Sequence, residues 1–402
     1  MLKAELELLG SHLLAFAHES SVPAGGALAV DREQFASLVT DALVQAGVAR
    51  IEAEVVGIDP SGAFIIEDAH HEGPYVLEDP APFCIIATGP LTSPALAESL
   101  RALTGEDHLS FYDAAAPIVY ADSLDYDVVF GQSRYEEGVG DYLNAPFNKE
   151  EYEAFAQELI DARCVIKKEF ESSDLFQACQ PIEEIARKGF DAPRFGPLKP
   201  VGLVDPRTQK RPWAVVQLRA EGRDKQCYNL VGFQTNLAFP EQERVFRMIP
   251  GLEHAQFARY GVMHRNTFIN APELLNCHLE LQSAASRALP VRLYVAGQLS
   301  GTEGYVEAIA SGLLASLNVR AAVRGIELDS LPRESAFGAL IDYATDPETK
   351  DYQPMHVNFG ILPPFEERIR NKQQRYEAYA QRGSEAMKSY VSALVPLLEG
   401  TN

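Results

Sequence analysis

The chain has 402 residues, 46% of them hydrophobic and 23% charged, which is enough apolar side chain for two or three cores and excludes a disordered or fibrous protein. Its formal net charge of −22 repels nucleic acid at long range, so any RNA contact must come from local basic surface. Five cysteines, Cys84, Cys164, Cys179, Cys227 and Cys277, are odd in number and form no CxxC pair, which argues against a disulfide framework or a zinc site and for a reducing, cytoplasmic setting.

In chain order, Leu2, Leu6, Leu9, Leu13 and Phe16 recur at helical spacing and predict one helix that stops near the Pro and glycines of SSVPAGGALAVD. Lys3, Glu5, Glu7 and Glu19 rule out a signal peptide there, and no apolar run approaches the roughly 18 residues that span a bilayer, so a soluble chain with no membrane partner is expected. Asp31 and Arg32 either contact a cofactor or cap a helix beginning near Gln34. From Arg50 the pattern turns to strands: RIEAEVVGID, a PSG turn, AFIIEDA, YVLED and FCIIATG, a small meander feeding a buried strand. CIIATGPL ends in Thr88, Gly89 and Pro90, where a ligand suits the carboxyl edge of a sheet. The adjacent His70 and His71 are poor geometry for one metal, and no metal site is expected.

After Asp113–Pro117 the composition becomes mixed, and an inserted α+β domain is expected over 116–261, flanked by 1–115 and 262–402. Within it, Cys179 precedes Pro181, which is suited to open a helix; such a thiol is either a nucleophile or a small core residue, and Glu183 and Glu184 oppose its ionisation. Lys199, Arg207, Lys210, Arg211 and Arg219 stand against one acid, Asp205. His264 and Arg265 lie in a polar patch, VMHRNTF, either as substrate ligands or as structural residues. VRLYVAGQ then returns to the sheet and runs into Gly297, Gly301, Gly304 and a helix carrying Glu307 and Gly312. Glycines there let backbone approach a ligand, and the helix start favours an anion, so a flavin-like α/β domain, discontinuous in sequence, is expected. Near the end, Arg368, Lys372, Arg375, Tyr379 and Arg382 recur at spacings of three and four behind Glu366 and Glu367, predicting a helix with one basic face. Either basic cluster reads as a solvated face or as an RNA surface.

Taken together, VPAGGALAVDR, IATGPLTS, FYDAAAPIV, CQPIE, KPVGLVDPRTQKRPWAVVQLR, YNLVGFQTNL, RVFRMIPGLE, RYGVMHRNTFINAP, AGQLSGTEGYVEAIASG and NFGILPP resemble, in order, the TrmFO family of folate- and FAD-dependent tRNA (uracil-5-)-methyltransferases, which are GidA-related. The resemblance implies a GidA-type, FAD-binding Rossmann-like fold with the inserted domain. It implies methylation of the 5-carbon of uridine 54 in the tRNA T-loop, with methylenetetrahydrofolate as one-carbon donor, FAD as hydride source, and NADH or NADPH as reductant. It also implies that Cys179 attacks uracil, that Thr88, Gly89, Gly297, Gly301, Gly304 and Glu307 bind the flavin, and that His264 and Arg265 hold folate and substrate. Lys199, Arg207, Arg211, Arg368, Lys372 and Arg375 become the tRNA surface, and no stable protein partner is inferred. The family's pattern places a glycine-rich FAD loop and a C-S-N-S segment ahead of residue 1. An in-frame copy of both upstream of Met1 therefore separates an active enzyme from a flavin-less RNA-binding fragment. The wobble-uridine flavoprotein differs by a long helical C-terminal extension, whereas the same chemistry on rRNA is the remaining alternative. The Gly57–Phe83 meander is longer than the family's.

Overall fold

A computed structural model describes residues 1–24, 27–77, 81–105, 109–135, 140–165, 180–221, 224–349, 352–367 and 369–399. The chain divides into two compact units, one of Met1–Ala15, Val44–Ser110 and Asn266–Asn402, the other of Phe16–Leu43 and Phe111–Arg265. Residues 16–43 therefore group with the middle of the chain, which local sequence pattern does not signal.

In the first unit, Glu54–Ile58, Phe64–Glu67 and Tyr75–Val76 form the expected antiparallel meander. Its PSG turn is set by Asp59, whose carboxylate accepts from the backbone N–H groups of Ser61 (2.8 Å) and Ala63 (3.0 Å). Phe83–Ile86 belongs to a different sheet, in which it runs parallel to Arg292–Val295 with Ile86 opposite Val295. On its other side, Arg292–Val295 exchanges backbone bonds with Leu279 and Leu281. Of Phe83–Ile86 only Ile86 is buried, so the expectation of a buried strand holds at its end alone. The helix Pro94–Thr104 follows, opened by the Ser93 side chain with Pro94 in its first turn and closed by Gly105 in the left-handed region (φ 76°).

Two helical expectations are corrected. The leading apolar stripe is cut into helices Leu2–Leu8 and His12–Glu19, because Gly10 takes φ 71° and Ser11 starts the second by accepting from Leu14 N–H (3.3 Å). The C-terminal helix spans Lys372–Glu399 and starts at Asn371, whose side chain accepts from Gln374 N–H (3.1 Å), several residues after Glu366 and Glu367. The Tyr305–Val323 helix also corrects the estimate of apolar runs: it is 19 residues long and apolar enough, by length and composition, to cross a membrane. It buries Ala310, Ser311, Leu314, Ala315, Asn318 and Ala321, which recur along one face.

The second unit is built on a six-stranded antiparallel sheet in the order Phe257–Arg259, Ile118–Tyr120, Cys227–Leu230, Ala214–Ala220, Tyr142–Phe147, Phe130–Gly131. Lys149–Asp161 lies over it, started by a reciprocal cap between Asn148 and Glu151. This helix turns Tyr152, Phe155, Ala156 and Leu159 into a core with Phe147, Val216, Leu218, Phe233 and Phe246. Each such large side chain contributes about 1.5–3 kcal/mol on burial. Asp31 caps Arg32–Gln45 by accepting from Glu33 and Gln34 N–H (both 3.1 Å), as one of the two sequence readings has it, and Arg32 pairs with Glu221 at 3.6 Å.

Candidate cofactor turn and basic surfaces

The two parallel strands end side by side, and the backbone leaving each bends at a glycine. After Phe83–Ile86 come Thr88 and Gly89, and after Arg292–Val295 comes Gly297, whose neighbour Ala296 donates its N–H to Ile86 O (3.0 Å). Gly89 and Gly297 both have φ 73°, and a Cβ built on either meets nothing within 4 Å. Two adjacent backbone stretches are thus bare and open at the carboxyl edge of a parallel pair, the place where α/β sheets take ligands. Thr88 and Thr92 share a hydroxyl hydrogen bond (2.7 Å), and Thr92 donates to Gly89 O (2.9 Å), which fixes the first bend.

The second bend is held from inside. Gly297 N–H donates to Ser311 Oγ (2.9 Å), while its carbonyl accepts from the hydroxyls of Ser300 (2.8 Å) and Thr302 (2.9 Å). Ser300, Thr302 and Ser311 are each fully buried, so these bonds form where water does not compete. Gly301 and Gly304 are glycine for another reason. A Cβ on Gly301 (φ 77°) would lie 2.0 Å from the Tyr352 hydroxyl, which donates to Ser300 O (2.9 Å); one on Gly304 (φ 112°) would lie 2.3 Å from Glu307 Oε2. Glu307 also accepts from Val357 N–H (3.1 Å), so the anion beside this helix start is the protein's own carboxylate. Glu303 N–H donates to Met355 O, and Met355 N–H to Gly301 O, both at 3.0 Å, so residues 352–357 strap the turn. Sequence reading missed Ser311, Tyr352 and Met355 because nothing local marks them.

Cys179 lies outside the described residues, as does Arg368, and so do the side chains of His264 and Arg265, whose backbone forms part of Met263–Phe268. The helix expected at Pro181 is present as Ile182–Lys188. Its Glu183, read from sequence as opposing ionisation of the Cys179 thiol, is fully buried; it accepts from Thr235 Oγ1 (2.9 Å) and Asn236 N–H (2.6 Å), and burial pushes its carboxyl up to about 7. Among the described cysteines all four are free thiols, and burial pushes Cys84 up to about 12, as suits a structural residue. No group of three metal-binding side chains occurs among the described residues.

The basic clusters divide by role. Lys199 and Arg211 are exposed, while Arg207 holds Asp205 through two bonds (Nε to Oδ1, 3.2 Å; Nη2 to Oδ2, 2.9 Å). On the last helix, Lys372 is exposed with its ammonium 5.4 Å from the Tyr376 ring centroid, and Arg375 is half-buried beside the same ring. Tyr379 is buried and Arg382 turns inward, over Phe365 (4.5 Å) and onto Pro363 O (2.6 Å), so the expected basic face stops at Arg375.

Residues 1–327 match the family model for glucose inhibited division protein A, GidA. The chain is 47% identical over 98% of its length to 84% of a methylenetetrahydrofolate--tRNA-(uracil-5-)-methyltransferase TrmFO of Heliobacterium modesticaldum. Equivalent proteins of Bacillus pumilus (48%, covering 98% of this chain and 85% of that one) and Listeria monocytogenes (46%, with the same coverages) match as closely. In fold, the chain is similar to the solved GidA of Aquifex aeolicus, with a TM-score of 0.65 at 16% identity over 99% of this chain and 67% of that one. The chain accordingly belongs to the GidA family and, within it, to the TrmFO group.

Proposed function

We propose that this protein transfers a one-carbon unit from methylenetetrahydrofolate to the 5-carbon of uracil in tRNA, as a flavoprotein of the TrmFO type. The observation that carries this is 46–48% identity, over nearly the whole chain, to enzymes bearing that name. The bare turns at Gly89 and Gly297 fit a flavin, since a planar ring or pyrophosphate needs backbone with nothing projecting from it. When bound, reduced FAD supplies the hydride that takes a methylene, at the formaldehyde level, down to a methyl group.

In this reading, residues 1–115 and 262–402 hold the cofactor and 116–261 form the insertion. Thr88, Gly89, Gly297, Gly301, Gly304 and Glu307 bind the flavin, Gly301, Gly304 and Glu307 also giving the turn its shape. The Cys179 thiolate adds to the 6-carbon of uracil and pushes its electrons into an enolate, which makes the 5-carbon nucleophilic; a base later takes the proton from that carbon and the thiolate leaves. His264 and Arg265 hold the pterin and substrate. Lys199, Arg207, Arg211, Lys372 and Arg375, with Arg368, meet phosphates, and the target base is exposed before attack. The reductant is NADH or NADPH, the site is the T-loop uridine, and the setting is the cytoplasm.

The test is to incubate the protein with FAD, reductant, methylenetetrahydrofolate labelled in its methylene carbon, and either tRNA or rRNA, then map the label. Label in 5-methyluridine of the tRNA T-loop is expected. Label in rRNA alone overturns the substrate, and no transfer to either overturns the activity.

A further inference from the structure

We infer that a cavity between the start of the strand Arg292–Val295 and the end of the helix Tyr305–Val323 is a binding site for a small aliphatic amine. It holds about 310 Å³, the liquid volume of about ten waters, which suits an unbranched chain of about six to ten heavy atoms. All of its walls belong to the first unit. It lies at the amino end of the parallel strand pair, whereas Gly89 and Gly297 follow the carboxyl end, so the length of a four-residue strand, about 13 Å, separates it from the proposed cofactor turn. The inference goes beyond the methyl-transfer reading and does not rest on it.

Two layers supply the walls. On the strand, Arg292 and Tyr294 stand two apart and so share a face, and Glu280 pairs with Tyr294 from the neighbouring extended stretch. Arg292 is committed to that stretch: its Nε and Nη2 each donate to Glu280 at 2.7 Å, so the two charges cancel. Tyr294 is 1% exposed, yet its hydroxyl has no hydrogen-bond partner among the described residues. On the helix, Asn318 is 6% exposed and turns its amide N–H groups to Leu314 O (3.0 Å) and His278 O (3.4 Å), which leaves its carbonyl oxygen unengaged. Neither atom is sealed from solvent, so both open on the cavity that their residues line. A buried polar atom without a partner is costly, and two of them facing one space from opposite walls point to a ligand that satisfies both.

Charge selects the ligand. Beyond the helix, Gly325 (φ 71°) turns the chain and brings in Glu327, which is exposed and has no ion-pair partner among the described residues. With Arg292 and Glu280 cancelled, Glu327 makes the walls net negative, and the carbonyl end of a 19-residue helix adds to that sign. The unengaged groups are acceptors: the Asn318 carbonyl, the Glu327 carboxylate and the Tyr294 oxygen. An ammonium brings three donors and one positive charge to that set, whereas a phosphate or a carboxylate has the wrong sign and no N–H to give. Ala322, Ile326 and Leu328 provide apolar wall for the methylenes behind the head group.

The test is equilibrium dialysis of the nuclease-treated full chain against radiolabelled putrescine and spermidine at about 0.15 M salt, with no flavin, folate or RNA present. One saturable equivalent is expected, with a Kd of about 1 mM or below. Glu327→Gln should weaken binding at least about fivefold, and Tyr294→Phe, which removes only the hydroxyl, at least about threefold. Glu366→Gln, at an exposed acid outside the cavity, should leave the Kd unchanged. No binding of either amine overturns the inference. So does uptake that never saturates and that all three variants lower alike, which is how a chain of net charge −22 attracts any cation. Uptake of inorganic phosphate in place of the amines overturns it as well. If Tyr294→Phe does not fold, Glu327→Gln against Glu366→Gln carries the test, and equal Kd values for those two variants overturn the inference. Since no component of methyl transfer is present, loss of amine binding leaves that reading standing, and a protein that transfers no methyl group but binds the amine sinks only the other.

Discussion

At Gly297 an added methyl group would project into open space, whereas four residues on, at Gly301, it would sit 2.0 Å from the Tyr352 hydroxyl. Both glycines have left-handed backbone, both belong to one run of sequence, and both read from sequence as places where a ligand comes close. One is bare toward the outside; the other is bare because the protein's own tyrosine fills the gap. The same division separates Lys372, exposed beside Tyr376, from Arg382, which is folded over Phe365 ten residues later. Glycine and arginine signal a close approach or a charge, and the tertiary structure decides whether the partner is a ligand or the chain itself.

Substitutions test that division directly, and the largest effect is expected on the closed side. Gly301→Ala forces a Cβ onto Tyr352 at φ 77°, and it should destabilise the fold by about 4 kcal/mol or more in urea titration; a loss below about 1 kcal/mol would mean that Tyr352 does not close the turn. Next comes the buried acid. Glu183 is raised from 4.5 to about 7 in the folded chain, so the folded state holds its proton where the unfolded state has released it. Its contribution is fully present below pH 4.5, declines as pH rises to about 7, and is level above; the span amounts to about 3 kcal/mol. Relative to Glu183→Gln, the unaltered protein should therefore lose stability between pH 5 and 7.5, with Cys164, Glu184 and Arg187 the other ionisable groups in that neighbourhood. A flat difference in melting temperature across that range would contradict the assignment.

On the open side the stability cost should be small and the functional cost specific. Gly297→Ala carries only the left-handed backbone penalty, about 1–2 kcal/mol, yet it should cut the bound-flavin absorbance of purified protein severalfold. A variant that keeps its flavin would remove the turn from the proposed cofactor site. The smallest change is expected for Lys372→Ala, which should weaken tRNA binding two- to threefold and flatten its salt dependence by about one ion without moving the melting temperature. Arg382→Ala should do the reverse, costing about 1–2 kcal/mol of stability with the salt slope intact.

Much of the local architecture could be read from residue order. The strands at 54–58, 64–67 and 83–86 follow from β-branched runs and the PSG turn, and the glycine turn after Val295 follows from an apolar strand running into AGQLSG. The errors share a cause. Helical spacing persists from Leu2 through Phe16 across a break that only Gly10 and Ser11 betray, and the basic spacing from Lys372 to Arg382 hides which residues face inward. Glu183 could not be read as buried because its partners, Thr235 and Asn236, lie more than fifty residues away. Periodicity reports a face, and only the packed chain reports what covers it.

The strap formed by Tyr352, Met355 and Val357 also bears on how the protein is made. The turn at 297–304 cannot adopt its final form from its own residues, since the bonds that close Gly301, Glu303 and Glu307 come from about fifty residues downstream. At a synthesis rate of about 5–20 residues per second, the ribosome needs several seconds to deliver them after the turn has been translated. Until then Gly301, Glu303 and Glu307 belong to a nascent chain without their lock, so this part of the turn takes its final form only after residues 352–357 have been translated, later than the bend at Gly297 that Ser300, Thr302 and Ser311 hold.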